Sequence, residues 1–258
     1  MKQEAAVRAI TTSLKNDRLV KAIFLKGSMG RGEYDEYSDV DLYVLVDEKD
    51  EKEFLTHRLH HLEAYRNLMF YEDFFIIAPQ IIAVYDNLLH VDLFTVTEKS
   101  FKEKDYFRVL YDPEGRLTKF QATQNLFLSL EEFDSHAYDV AWFLFQYNKA
   151  NQRGNDLWAV DMLQHVMVNL SKVLLHRYCP EKAQLGLKGL ESLLPSIPLE
   201  KVKRVFNCLT PASHQKAVYY LMKLLKDEID WIETNISKDA QAGSFLKWML
   251  QILDSNQK

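Results

Sequence analysis

Past Gly115 the hydrophobic pattern of this chain changes period, and that change limits the folds open to it. Before it, apolar residues fall in short runs bounded by turn residues; after it they recur at the spacing of helices. Val20 to Leu25 and Val40 to Val46 read as short buried strands. Ile81 to Tyr85 and Leu89 to Thr95 flank the turn pair Asp86-Asn87 and read as antiparallel neighbours. Arg108 to Tyr111 is a further strand, stopped by Asp112-Pro113-Glu114-Gly115. Two helices belong with these strands. Ala6, Val7, Ile10 and Leu14 mark the first; Phe54, Leu55, Leu59 and Leu62 form the apolar side of a charged helix from about Asp50 to Tyr65.

Beyond the turn, Phe133, Ala137, Val140, Ala141, Leu144 and Phe145 follow helical period, as do Leu157, Val160, Leu163, Met167, Leu170 and Leu174. Val218, Leu221, Leu225, Ile229 and Ile232 define a third long helix, with Pro195 and Pro198 punctuating the segment before it. The expected class is α+β, with a small mixed-sheet domain over residues 1–119 and an all-helical domain over residues 120–258.

Composition narrows the partners. A chain of 258 residues with 47% hydrophobic and 27% charged residues is an ordinary folded mixture. Its net charge is −5, and its one basic run, Lys201-Val202-Lys203-Arg204, reads as a solvated helix face. A polynucleotide partner would call for a basic excess, so no nucleic acid is expected and a small substrate is favoured. Met1-Lys2-Gln3-Glu4 leads into an amphipathic pattern rather than an apolar signal core, and no apolar stretch reaches bilayer length. Cys179 and Cys208 lack metal-ligand spacing and are too few for a disulfide framework. The expectation is a cytoplasmic protein with no membrane partner.

The chemistry concentrates between Leu25 and Leu42. A strand delivers the chain to Gly27, where a missing side chain lets a phosphate approach the backbone. Ser28 adds a hydroxyl and begins a short helix whose free N–H groups suit an anion. Asp39 and Asp41 stand two apart where the next strand starts, so period-two geometry points both carboxylates to one face. Hard carboxylate and phosphate oxygens are the ligands that magnesium prefers. Two-metal transfer, with ions roughly 3.5–4 Å apart, needs a third carboxylate. Asp92 is the candidate, because a lone acid between Val91 and Leu93 in a buried-looking strand is costly unless paired or metal-bound. Strand alternation gives it His90 as a neighbour on the same face.

Gly27-Ser28, then Asp39-Val40-Asp41 eleven residues on, then a distant hydrophobic-Asp-hydrophobic strand, resembles the DNA polymerase β nucleotidyltransferase superfamily over about residues 20–95. The helical half and the overall length are similar in kind to the bacterial nucleotidyltransferases that adenylylate aminoglycosides or lincosamides. The resemblance implies that Gly27 and Ser28 hold the β- and γ-phosphates of ATP. It implies that Asp39 and Asp41 bind Mg2+ and that Asp92 completes the catalytic and metal set. Glu72 and Asp73 stay open, beside Asp92, as groups that activate the acceptor hydroxyl. Relatives often supply a triphosphate-binding lysine from the helical domain, which puts Lys149 forward, with Lys172 second. The plain alternative for Lys149 is a helix-terminal cation complementing the dipole.

The implied activity is transfer of a nucleoside monophosphate, AMP from ATP, to a hydroxyl of a small molecule such as an aminoglycoside, which makes antibiotic resistance the expected role. An acidic chain suits such a cationic acceptor. The alternatives are transfer to a protein side chain, as in antitoxin-type and regulatory relatives, or a degenerate nucleotide-binding module. Arg31 reads equally as a phosphate contact or a surface side chain. His57, His60 and His61 would permit metal binding on one helix face, but a charged helix favours solvation for them. Trp142, Tyr147 and Trp158 offer an acceptor pocket or, more commonly, core packing.

Overall fold

The apolar runs of the first half assemble into a mixed sheet of six strands. They are β1 (Val20–Leu25), β2 (Val40–Val46), β3 (Leu68–Phe75), β4 (Pro79–Tyr85), β5 (His90–Val96) and β6 (Arg108–Tyr111), in the spatial order β3-β4-β5-β2-β1-β6. The β2–β5 pair is parallel and every other pair is antiparallel. With them come α1 (Lys2–Leu14), α2 (Gly27–Arg31), α3 (Glu51–Leu55) and α4 (Arg58–Glu63). The computed structural model describes residues 1–75, 78–101, 105–237 and 241–255. The chain divides into two compact units, Met1–Asn125 and Leu126–Lys258.

Strand alternation gives the sheet two apolar faces. On one, Ile23, Leu25, Leu42, Val44, Val91 and Leu93 pack with Ala6, Ile10 and Leu14 of α1, Phe54 of α3 and Leu62 of α4. On the other, Phe24, Tyr43, Leu45, Phe94 and Val96 pack with Phe101, Phe107 and Leu117. Tyr43 and Phe94 are register partners, and their rings stack at 4.3 Å between centroids. Asp41 precedes Tyr43 by two residues and Asp92 precedes Phe94 by two, so both carboxylates fall on this aromatic face.

One reading of the sequence changes here, one strand is added and one turn gains detail. The stretch from Asp50 to Tyr65 is two short helices rather than one, because α3 ends at Leu55 and α4 starts at Arg58. Leu68–Phe75, with no clean alternation, is an edge strand paired only to β4. Asp86-Asn87 does turn the chain between β4 and β5, but Leu88 carries the left-handed backbone at φ 58°.

The N-terminal helix reaches the loop that leads to Asp39. Gln3 is fully buried, and its Nε2 donates to the carbonyl oxygens of Asp35, Glu36 and Ser38 at 3.0, 3.0 and 2.9 Å. Gln3 is the shared donor of three part-buried hydrogen bonds, each contributing about 0.5–1.5 kcal/mol net. Gln3→Leu, of similar bulk, is therefore expected to destabilise the protein by about 1–3 kcal/mol in chemical denaturation. A wild-type midpoint would mean that water satisfies these carbonyls.

The second unit's described elements are all helices: α5 (Leu130–Gln152), α6 (Asp156–Tyr178), α7 (Leu187–Leu193), α8 (Ser196–Phe206), α9 (His214–Asn235) and α10 (Ala242–Ser255), with a 3-10 turn over Pro180–Leu185. Ser129 and Glu132 form a capping box at the start of α5, satisfying end groups that a helix cannot bond internally. Asn155 caps α6 by accepting from the Trp158 N–H at 3.2 Å. One core, from Phe133 through Leu170 and Leu225 to Leu250, runs through the bundle. Glu228 is buried on α9 and is held by Arg177 at 2.7 Å and by the Tyr178 hydroxyl at 2.9 Å. Among the described residues, no helix is long and apolar enough to cross a membrane.

Candidate active site

The parallel pairing of β2 and β5 sets Asp41 directly beside Asp92. Their strands enter from different parts of the chain, so only the register brings the two carboxylates together. Asp39 stands one residue before β2. A ligand atom of Asp39, one of His90 and one of Asp92 lie within 4.8 Å of one another, close enough to share a cation.

Asp92 is buried, as its strand context predicts, and two donors offset the cost of that burial. Gln80 Nε2 donates to Asp92 Oδ1 at 2.8 Å, and His90 Nε2 meets the same oxygen at 3.1 Å. Both contacts fall on one oxygen, which leaves Oδ2 as the one open to a ligand. The hydrogen bond to Asp92, together with the charges of Asp92, Asp39 and Asp41, holds the His90 imidazolium above its ordinary pKa against the opposing effect of burial. Gln80 was not foreseen. Its signal is a polar side chain in the run Ala78-Pro79-Gln80-Ile81-Ile82, two residues before Ile82, which pairs with Asp92 across the β4–β5 hairpin.

Gly27 opens α2 with φ 59°, in the left-handed region that L side chains avoid. A Cβ built there would lie 1.9 Å from Asp41 Oδ2, so the carboxylate occupies the space that a side chain would need. The Lys26 N–H also donates to the Asp41 carbonyl at 3.0 Å, fastening this turn to β2. Ser28 Oγ is buried and has no hydrogen-bond partner among the described residues. A buried hydroxyl left unpaired costs free energy, and a phosphate oxygen arriving at this turn would satisfy it.

The other candidates have contacts of their own. Arg31 Nη1 donates to Asp105 at 2.7 Å and its Nε to Glu33 at 3.0 Å, so a phosphate contact would require exchanging those partners. Glu72 and Asp73 lie on the edge strand β3, opposite Ile82 and Ile81, and Asp73 pairs with the buried Arg58 at 2.5 Å. Lys149 lies on α5 in the helical unit, its Nζ 5.4 Å from the centre of the Phe145 ring. Tyr147 is core, hydrogen-bonded to His214 at 3.1 Å, while Trp142 belongs to a partly exposed aromatic strip with Tyr138 and Phe145. The three histidines are not a solvated row. His61 is buried, and His57 and His61 both contact Asp17.

Residues 7–111 match the family model described as a nucleotidyltransferase domain. No curated protein sequence matches the chain. Among solved structures it is similar to an aminoglycoside 6-adenyltransferase from Bacillus subtilis, at 11% identity and a TM-score of 0.39 over 98% of each chain. A nucleotidyltransferase-like protein from Exiguobacterium sibiricum aligns at 13% identity and a TM-score of 0.39, over 99% of this chain and 81% of that one. A CdnE cyclic dinucleotide synthase from Elizabethkingia meningoseptica, solved with GTP and Apcpp, aligns at 14% identity and a TM-score of 0.31, over 100% and 93%.

Proposed function

We propose that this chain, whose residues 7–111 match a nucleotidyltransferase domain, transfers AMP from ATP to a hydroxyl of a small molecule with Mg2+. The observation that carries this reading is the pairing of Asp41 with Asp92 beside a glycine turn whose serine hydroxyl is buried and unpaired. The donors suit the ion: three hard carboxylates, from Asp39, Asp41 and Asp92, would hold it. Bound there, magnesium neutralises triphosphate charge and polarises the phosphoryl group under attack.

The rest of the work falls to the chain's own groups. The missing side chain of Gly27 makes room for the Asp41 carboxylate, the backbone of the turn faces the phosphates, and Ser28 Oγ donates its unused hydrogen to a phosphate oxygen. Gln80 and His90 fix the orientation of Asp92 through Oδ1. Lys149 is assigned to the triphosphate, and the helical unit to the acceptor. An aminoglycoside is the first acceptor to test, because a net charge of −5 favours a cationic substrate.

The test is to incubate the protein with ATP, Mg2+ and a panel of aminoglycosides and other hydroxylated small molecules. Pyrophosphate release and the mass of each acceptor are followed. The expected result is an acceptor heavier by one AMP, with release abolished by EDTA. Label from ATP appearing on protein bands instead would move the acceptor to a protein side chain. ATP binding with no pyrophosphate release from any acceptor would reduce the domain to a degenerate nucleotide-binding module.

A further inference from the structure

We propose that Asp17, His57 and His61 form a zinc site, separate from the carboxylate cluster, that fastens the end of α1 to α4. His57 and His61 are four apart at the start of α4, a spacing that puts both rings on one helical face. Asp17 comes from the turn after α1. Its Oδ2 lies 2.7 Å from His57 Nδ1 and 3.1 Å from His61 Nε2, and one ligand atom from each residue falls within 4.8 Å of the others. Two imidazole nitrogens and one carboxylate oxygen are a donor set suited to zinc and poorly suited to magnesium. Tetrahedral zinc with bonds of roughly 2.0–2.2 Å separates its ligand atoms by about 3.4 Å. The two distances to Asp17 Oδ2 need to open by less than an ångström.

The surroundings orient all but one of the donors. Asp17 Oδ1 accepts from the Leu19 N–H at 2.9 Å, which leaves Oδ2 facing the rings. His61 Nδ1 meets Ser13 Oγ at 2.9 Å, the outer hydrogen bond that a metal-bound imidazole characteristically makes. A serine hydroxyl both donates and accepts, so Ser13 serves either tautomer of His61. With Ser13 donating, His61 Nε2 keeps its proton for Asp17; with Ser13 accepting, Nε2 is free for a metal. Asp17 and His61 have side chains only 8% and 5% exposed, whereas His57 is 38% exposed. His57 opens on a cavity of about 620 Å³ also lined by Asn16, Arg18, Thr56 and His60. That cavity gives the ion an entry path and room for a fourth ligand, such as water.

The experiment titrates Zn2+ alone, without nucleotide, into His90→Asn protein, in which the catalytic cluster has lost its imidazole. Calorimetry and thermal melting are the readouts. One zinc per chain is expected, with Tm raised by roughly 5 °C or more at zinc concentrations about a hundredfold above Kd. Adding His57→Gln, at a half-exposed position, should leave the circular dichroism unchanged and abolish both signals. Ser13→Ala should keep the stoichiometry and weaken affinity by about 10–100-fold. The proposal is overturned if His90→Asn protein takes up no zinc, or if the added His57→Gln binds zinc as tightly as its parent.

Discussion

Asp41→Asn will melt like the wild type and transfer nucleotide very poorly. The substitution keeps the size and planarity of the side chain packed against Gly27, so the turn has no steric reason to move. What disappears is one negative charge in a group of three, with Asp92 in register beside it and Asp39 just ahead on the chain. Without a cation those charges repel, so removing one leaves stability unchanged or raises it slightly. Transition-state stabilisation responds differently. Losing one preorganised electrostatic element costs ~2.7–4 kcal/mol, or roughly 10²–10³ in rate, and losing a metal ligand costs at least that. The measurement pairs a thermal melt with a pyrophosphate-release assay on whichever acceptor is found. An unfolded variant would make Asp41 structural, and undiminished transfer would remove it from the metal site.

What could be read from the sequence follows from where each residue finds its partners. β1, β2, β4, β5 and β6 were legible because apolar runs and turn residues encode strands locally. β3 was not, since most of its side chains face solvent and only its pairing with β4 holds it extended. The break between α3 and α4 was hidden for a related reason. Phe54 and Leu62 bury against the same sheet face, so the apolar period continues across a stop in the backbone.

The candidate site divides along the same line. Gly27, Ser28, Asp39 and Asp41 are neighbours in sequence, and their spacing carries the motif. Gln80 meets Asp92 only through hairpin register, and Arg31 meets Asp105 across seventy-four positions. His61 looks like a surface residue until Asp17, forty-four positions upstream, is folded against it. Charge and period describe a residue's neighbours along the chain, and these three contacts are made by the fold.

Gly27→Ala should cost both stability and turnover, and Gly32 separates the two effects. Both glycines have left-handed backbones, at φ 59° and 75°. An alanine at either position carries a strain of roughly 1–2 kcal/mol. Only at Gly27 does the new methyl collide with anything: Asp41 Oδ2 lies 1.9 Å away, whereas nothing lies within 4 Å at Gly32. The collision is relieved most cheaply by swinging the Asp41 carboxylate aside, which displaces it from Asp92. A misplacement on the order of 1 Å is enough to cost about a hundredfold in turnover. Gly32→Ala should therefore lose stability while transferring at close to the wild-type rate, and Gly27→Ala should lose both. Combining Gly27→Ala with Asp41→Asn tests the route, because two changes acting through one carboxylate are not additive. The double variant should be scarcely slower than Asp41→Asn alone. Full additivity, or equal loss of activity in Gly32→Ala, would mean that the turn acts on the reaction by some path other than Asp41.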